Sequence, residues 1–202
     1  MSVYKIKPSI KEQSTLFLKS YKYIKGYENV ESHIDFMENV KHLKKVELIN
    51  SIIIPDESII AYLGCNHPEI GLNLLLTKNL KYVHFIDTDS KRLGIINSIS
   101  IFDKERLEDK IKWDLVSILD SIVTFDFVFC FELERFIFYN QSFDEFFQKL
   151  KKVTRKILII EWSKSFEDDP KYSKVIFKEC LAKNFSLIKK IDSTGNIYIA
   201  FK

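Results

Sequence analysis

Runs of apolar residues and helical spacings alternate along most of the chain. Two helical stretches come first. Residues 9–25 place Leu16, Leu18, Tyr21 and Ile24 near one face. Residues 28–50 repeat Val30, Ile34, Met37, Val40, Leu43 and Val46 at helical spacing, with Lys41, Lys44 and Lys45 between them. Pro55-Asp56 breaks that pattern. From Ser58 the period changes. Short apolar runs at Ser58–Leu63, Tyr82–Ile86, Ile111–Val116, Phe125–Phe131 and Lys156–Ile160 predict five strands. Between them, Pro68–Thr77, a stretch from Thr88 to about Phe102, Ser142–Val153 and Pro170–Lys183 predict helices. Pro68 suits a first helical position, and Thr88, Asp89 or Ser90 can cap the next helix. Phe143, Phe146, Phe147 and Leu150 share one side of their helix. Phe185–Ile191 and Ile197–Phe201 are joined by a short polar link containing Gly195, the mark of an antiparallel hairpin.

Alternating strands and helices predict an α/β fold: a doubly wound, mostly parallel sheet covered on both faces, with right-handed crossovers. The hairpin predicts that its final strand runs antiparallel. Residues 1–55 then form an N-terminal helical extension, and residues 56–202 the Rossmann-like domain, within one compact unit. A chain of 202 residues with 46% hydrophobic and 14% aromatic residues has the material for one sizeable core. Only 5 Gly and 4 Pro are present, which favours long elements and short connections.

Charge and cysteine content narrow the function classes. A net charge of +3 is too small for the field of a dedicated nucleic-acid binder. Cys65, Cys130 and Cys180 are far apart and lie beside apolar residues. They form no CxxC pair or Cys/His cluster, so no metal site and no disulfide framework is expected, only buried thiols in a reducing, cytoplasmic setting. Met1–Lys11 lacks the apolar core of a secretory signal, and no run is long enough to span a membrane.

Chemistry-bearing residues gather where predicted strands end. Ile59-Ile60-Ala61-Tyr62-Leu63-Gly64-Cys65-Asn66-His67-Pro68 is a strand, a glycine turn and a helix start. Tyr82-Val83-His84-Phe85-Ile86-Asp87-Thr88-Asp89 is a strand ending in an acid, 23 residues beyond Gly64. Ile111-Lys112-Trp113-Asp114 ends in another. Phe125–Phe131 leads into Glu132-Leu133-Glu134-Arg135-Phe136.

In this layout and these motifs the chain, over about residues 56–202, resembles the class I S-adenosylmethionine-dependent methyltransferases. The family pattern at the first motif is an acid followed by Gly-x-Gly-x-Gly, a tight turn that lets the cofactor approach the backbone. Gly64 matches, Asn66 and Pro68 stand at the later glycine positions, and Tyr62 stands at the acid. The resemblance implies S-adenosylmethionine as cofactor, held by Gly64, Cys65, Asn66, Asp87, Thr88 and Asp114. Asp87 is expected to accept hydrogen bonds from the ribose hydroxyls, or to cap the following helix. As a strand-ending residue it should be removable without opening a core cavity. Asp114, with Val116 and Ser117 as alternatives, is expected at the adenine amino group, or is simply an exposed acid. Glu132, Glu134 and Arg135 are the expected catalytic residues at the end of strand four, where a surface ion pair is the alternative. A base is needed only for an acceptor that must lose a proton, and His67 reads as a loop residue. The implied acceptor is a small molecule or glycan. RNA is less favoured, although Lys41, Lys44, Lys45, Lys149, Lys151, Lys152, Arg155 and Lys156 could form a basic patch. The rival reading is a catalytically inactive methyltransferase-like protein that binds a partner, with its N-terminal helices as the docking surface. A dehydrogenase is set aside, because no Gly-x-Gly-x-x-Gly fingerprint is present.

Overall fold

The computed structural model describes residues 40–65, 68–90, 93–94, 109–120, 123–131, 133–140, 142–191 and 196–202. Its centre is a seven-stranded sheet: β1 (Ile59–Leu63), β2 (Tyr82–Asp87), β3 (Ile111–Leu115), β4 (Phe125–Cys130), β5 (Thr154–Glu161), β6 (Ile188–Lys190) and β7 (Ile197–Phe201). The strand order is β3-β2-β1-β4-β5-β7-β6. β1 pairs in parallel with β2 and β4, as do β2 with β3 and β4 with β5. β7 runs antiparallel to both β5 and β6. The expected α/β sheet, with its final strand reversed in a terminal hairpin, is therefore the observed one.

The described helices are α1 (Val40–Ser51), α2 (Pro68–Thr77), α3 (Leu133–Asn140), α4 (Phe143–Val153) and α5 (Lys174–Asn184). Strands buried on both faces read as unbroken apolar runs, and β1, β2 and β4 show why. Their side chains alternate between two cores. Ala61, Leu63, Ile86, Val128 and Cys130 pack with α3, α4 and α5 through Phe136, Phe146, Phe147 and Phe177. Ile60, Tyr62, Val83, Phe85, Phe127 and Phe129 pack on the other face with Ile49 of α1 and Ile70, Leu72 and Leu74 of α2. α1 is also tied to α2 by hydrogen bonds, since Asn73 Nδ2 and Thr77 Oγ1 both donate to Asn50 Oδ1.

α4 shows how local sequence sets an element. The Ser142 hydroxyl accepts from the Glu145 amide, Asp144 and Glu145 lie in the first turn, and Lys151 and Lys152 lie in the last. That is a serine N-cap with charges matched to the helix dipole. Three details differ from the sequence expectation. α3 was not anticipated as a helix. The helix expected from Pro170 begins instead as a short 3₁₀ turn, Pro170–Tyr172, before Ser173 caps α5. β6 is limited to three residues. The helix expected over residues 9–25, the first part of that over 28–50, most of that from Thr88 to Phe102, and the hairpin link at 192–195 lie outside the described residues.

The order places β1 beside β4, while the connections from them run to opposite halves of the sheet. Open α/β sheets bind ligands at the carboxyl ends of the strands at such a switch point. Gly64, Cys65 and Phe131 stand there.

Candidate functional site

β1 ends in a turn that only glycine adopts easily. Gly64 has φ 89°, and its amide donates to the Ile86 carbonyl at 2.9 Å. The next amide, of Cys65, donates to Asp87 Oδ2 at 2.6 Å. Asp87 Oδ1 accepts the Asp89 amide at 2.9 Å and a long contact from the Thr88 hydroxyl at 3.4 Å. Gly64, Cys65, Asp87 and Thr88 are thus brought together at the ends of β1 and β2, as expected; Asn66 and His67 lie outside the described residues. Asp87 is not a surface residue, however. Its exposure is 0%, and it anchors the loop, so its removal reaches the fold as well as the site.

Arg135 completes this corner. It sits in the first turn of α3, directly after β4, and its Nη1 lies 3.8 Å from Asp87 Oδ1, with the side chain 25% exposed. The neighbouring Glu134 has a buried Oε2 with no hydrogen-bond partner. Glu132 lies outside the described residues. Nothing in the local sequence announced the Arg135–Asp87 contact, which spans 48 positions.

Tyr62, at the position where the resemblance puts an acid, is 1% exposed. Its ring lies 5.7 Å from that of Phe85 and 6.2 Å from that of Phe131, so it serves the core. The register explains Asp114. Asp114 stands opposite Ile86 and shares its face, whereas Asp87 stands opposite Leu115. The structure therefore does not bring Asp114 to Asp87. Asp114 Oδ2 instead lies 2.9 Å from His84 Nε2. Burial pushes the His84 pKa below its ordinary value, against the opposing pull of Asp114. Leu115, beside Asp87, is 45% exposed and gives the end of β3 an apolar surface.

A second charged contact closes the other side of the same edge. Lys45 Nζ of α1 reaches Glu161 Oε2 at the end of β5, 2.6 Å away, with both side chains about four-fifths buried (21% and 20% exposed). The ammonium also lies 5.6 Å from the centre of the Phe131 ring. The strand-ending position of Glu161 was the available signal for it. Of the basic side chains that could form a patch, Lys45 lies at this edge and is paired there. Arg155 and Lys156 begin β5 and so lie at the opposite edge. Lys156 pairs with Asp126 at 3.1 Å, Lys149 with Asp120 at 2.8 Å, and Arg155 donates to the Thr124 hydroxyl. Among the described residues, no helix is long and apolar enough to cross a membrane.

No protein-family model matches the chain, and no curated protein resembles it in sequence. Solved structures do resemble it. Magnesium protoporphyrin IX methyltransferase of Synechocystis PCC 6803, crystallised with S-adenosylmethionine, is 15% identical and aligns over 100% of both chains with a TM-score of 0.59. Geranyl diphosphate C-methyltransferase of Streptomyces coelicolor A3(2), in complex with S-adenosyl-L-homocysteine, is 10% identical over 87% of this chain and 83% of that one, with a TM-score of 0.60. A cyclase, 11% identical, aligns over 75% of this chain and 60% of its own with a TM-score of 0.57. The chain has the class I methyltransferase fold. The cyclase is a reminder that function must be argued from the site.

Proposed function

We propose that this chain binds S-adenosylmethionine at the carboxyl edge of β1, β2 and β3 and transfers its methyl group to a small-molecule acceptor. The observation that carries the reading is the corner at the switch point: a glycine turn at φ 89°, its following amide held by a buried strand-ending carboxylate. The residues present fit a ligand that joins a nucleoside to a charged tail. Asp87 is an acid beside the turn, Leu115 offers a half-exposed apolar surface next to it, and the orphan Oε2 of Glu134 calls for a donor. Structural neighbours of the same fold act on varied acceptors, among them a magnesium porphyrin and geranyl diphosphate.

When bound, S-adenosylmethionine supplies a methyl group already activated on a sulfonium. The protein then has to align the acceptor and exclude water. Gly64 lets the backbone come close. Asp87 fixes the loop by accepting the Cys65 and Asp89 amides, and its remaining lone pairs are the acceptors proposed for the ribose hydroxyls. Phe131 and the Lys45–Glu161 pair wall the side of β4 and β5. A base is required only for an acceptor that loses a proton, and Glu132, which follows β4 in the sequence, is the candidate for that role. A small acceptor is favoured over RNA because the basic side chains at the start of β5 lie at the far edge, where Lys156 is already paired with an acid.

Calorimetry with S-adenosylmethionine and S-adenosyl-L-homocysteine tests the proposal. Saturable binding of both is expected, and an equimolar heat-stable complex should protect the Gly64 loop from hydrogen exchange. Absence of heat with either compound up to millimolar concentration overturns it in favour of an inactive partner-binding module.

A further inference from the structure

Resting on that reading, a sharper assignment follows from where charge is found at the switch point. The end of β1 offers no charged side chain: Ala61, Tyr62, Leu63 and Cys65 are all buried. The first two amides of the turn are also taken, Gly64 by the Ile86 carbonyl and Cys65 by Asp87. An amino-acid tail carries a carboxylate and an ammonium, and each needs a partner once taken from water. Among the described residues in contact with Asp87, Asp89 adds a further acid, and the cation comes from Arg135 in the first turn of α3.

Arg135 brings a guanidinium to within 3.8 Å of Asp87 while remaining 25% exposed. Its forked donors suit a carboxylate. Glu134 holds a buried oxygen with no hydrogen-bond partner. A carboxylate oxygen buried in this way is costly to leave unmatched, and a ligand ammonium is the donor that would match it. Adjacent residues leave a helix about 100° apart and do not face each other. This explains why Arg135 does not satisfy Glu134, and it lets the two side chains approach one bound group from two sides.

We infer that Arg135 and Glu134 together bind the zwitterionic amino-acid tail of the ligand, the guanidinium taking the carboxylate and the Glu134 carboxylate taking the ammonium. Tyr62 completes the core, and α3 supplies the acid that β1 lacks. Both residues are moved by this from acceptor chemistry to ligand binding.

Two ligands separate the tail from the nucleoside: S-adenosyl-L-homocysteine, which has the tail, and 5′-methylthioadenosine, which does not. Titration calorimetry is run on wild type, Arg135→Gln, Arg135→Lys and Glu134→Gln, with a melting curve for each. Arg135→Gln and Glu134→Gln are expected to weaken S-adenosyl-L-homocysteine about tenfold or more, the loss of one charge-assisted hydrogen bond, and to leave 5′-methylthioadenosine within about twofold on the same scale. Arg135→Lys keeps the charge near Asp87 and should recover part of the loss. Equal losses for both ligands would overturn the assignment, since Arg135 would then be acting through Asp87. So would unchanged binding of S-adenosyl-L-homocysteine. Wild type binding 5′-methylthioadenosine but not its tailed relative also refutes the tail site while sparing a nucleoside site; wild type binding neither removes the proposed function and the inference together.

Discussion

Replacing Asp87 by Ala should cost stability even with no ligand present. The carboxylate is wholly buried, and its two oxygens accept the Cys65 amide at 2.6 Å and the Asp89 amide at 2.9 Å. Hydrogen bonds to charged groups contribute about 1.5–3 kcal/mol, and a buried donor left unmatched costs about 1–3 kcal/mol. Cys65 is 3% exposed, so water cannot replace its lost partner and the full cost applies. Thr88 and Asp89 lie nearer the surface, and hydration recovers most of what they lose. Arg135, a quarter exposed, is likewise rehydrated. The net loss is then about 2–4 kcal/mol, dominated by the Cys65 amide. For a chain of this size, that corresponds to a Tm lowered by about 4–16 °C. Asp87→Asn keeps one acceptor oxygen but sets its amide group against a backbone donor, so it should fall between Ala and wild type. Urea denaturation and thermal melts of the three proteins, without ligand, measure the series. An Asp87→Ala protein melting within about 2 °C of wild type would show that the loop does not depend on this carboxylate, and the account of the corner would fail.

Gly71→Ala should also destabilise: a Cβ there would lie 2.6 Å from Phe85 Cε1 and 3.2 Å from Tyr62 Cγ. Both rings are buried and cannot yield, so overpacking of about 1–3 kcal/mol should exceed the helix-propensity gain of about 1 kcal/mol; a urea midpoint at or above wild type would contradict this. Because burial holds the His84 pKa below its ordinary value, the unfolded chain takes up a proton that the fold resists. Stability should therefore be intact above about pH 6.5 and fall as pH drops below it, and melts between about pH 7 and 5.5 should show a shallower slope for His84→Gln than for wild type. For the Lys45–Glu161 pair, a cycle of Lys45→Met, Glu161→Gln and the double variant should give a coupling energy of about 0.5–2 kcal/mol; additive losses would mean that the contact does not hold α1 to β5.

What the sequence made legible, and what it did not, divides along one physical line. Period and turn chemistry are local, so the buried strands, the Ser142 cap and the terminal hairpin could be read directly. The closeness of Gly64 and Asp87 was also readable, because a strand–helix–strand unit returns the chain beside its start. Facing is not local. Asp114 was placed at the right strand end, yet the parallel register pairs it with Ile86 rather than with Leu115. Side chains alternate along a strand, so that single step turns it toward His84 and away from the corner. α3 was missed because Phe136, Ile137, Phe138 and Tyr139 have strand-like side chains. The better signal was the spacing of Leu133, Phe136 and Ile137, which face one core. Its consequence is the largest. As a helix beginning directly after β4, this segment starts beside the end of β1, and Asp87 lies one strand further on. Neighbouring strands are about 4.8 Å apart, so a long side chain from the first turn of α3 must cross the end of β1 to reach Asp87. The chain turns there at a glycine, which presents no side chain in the way.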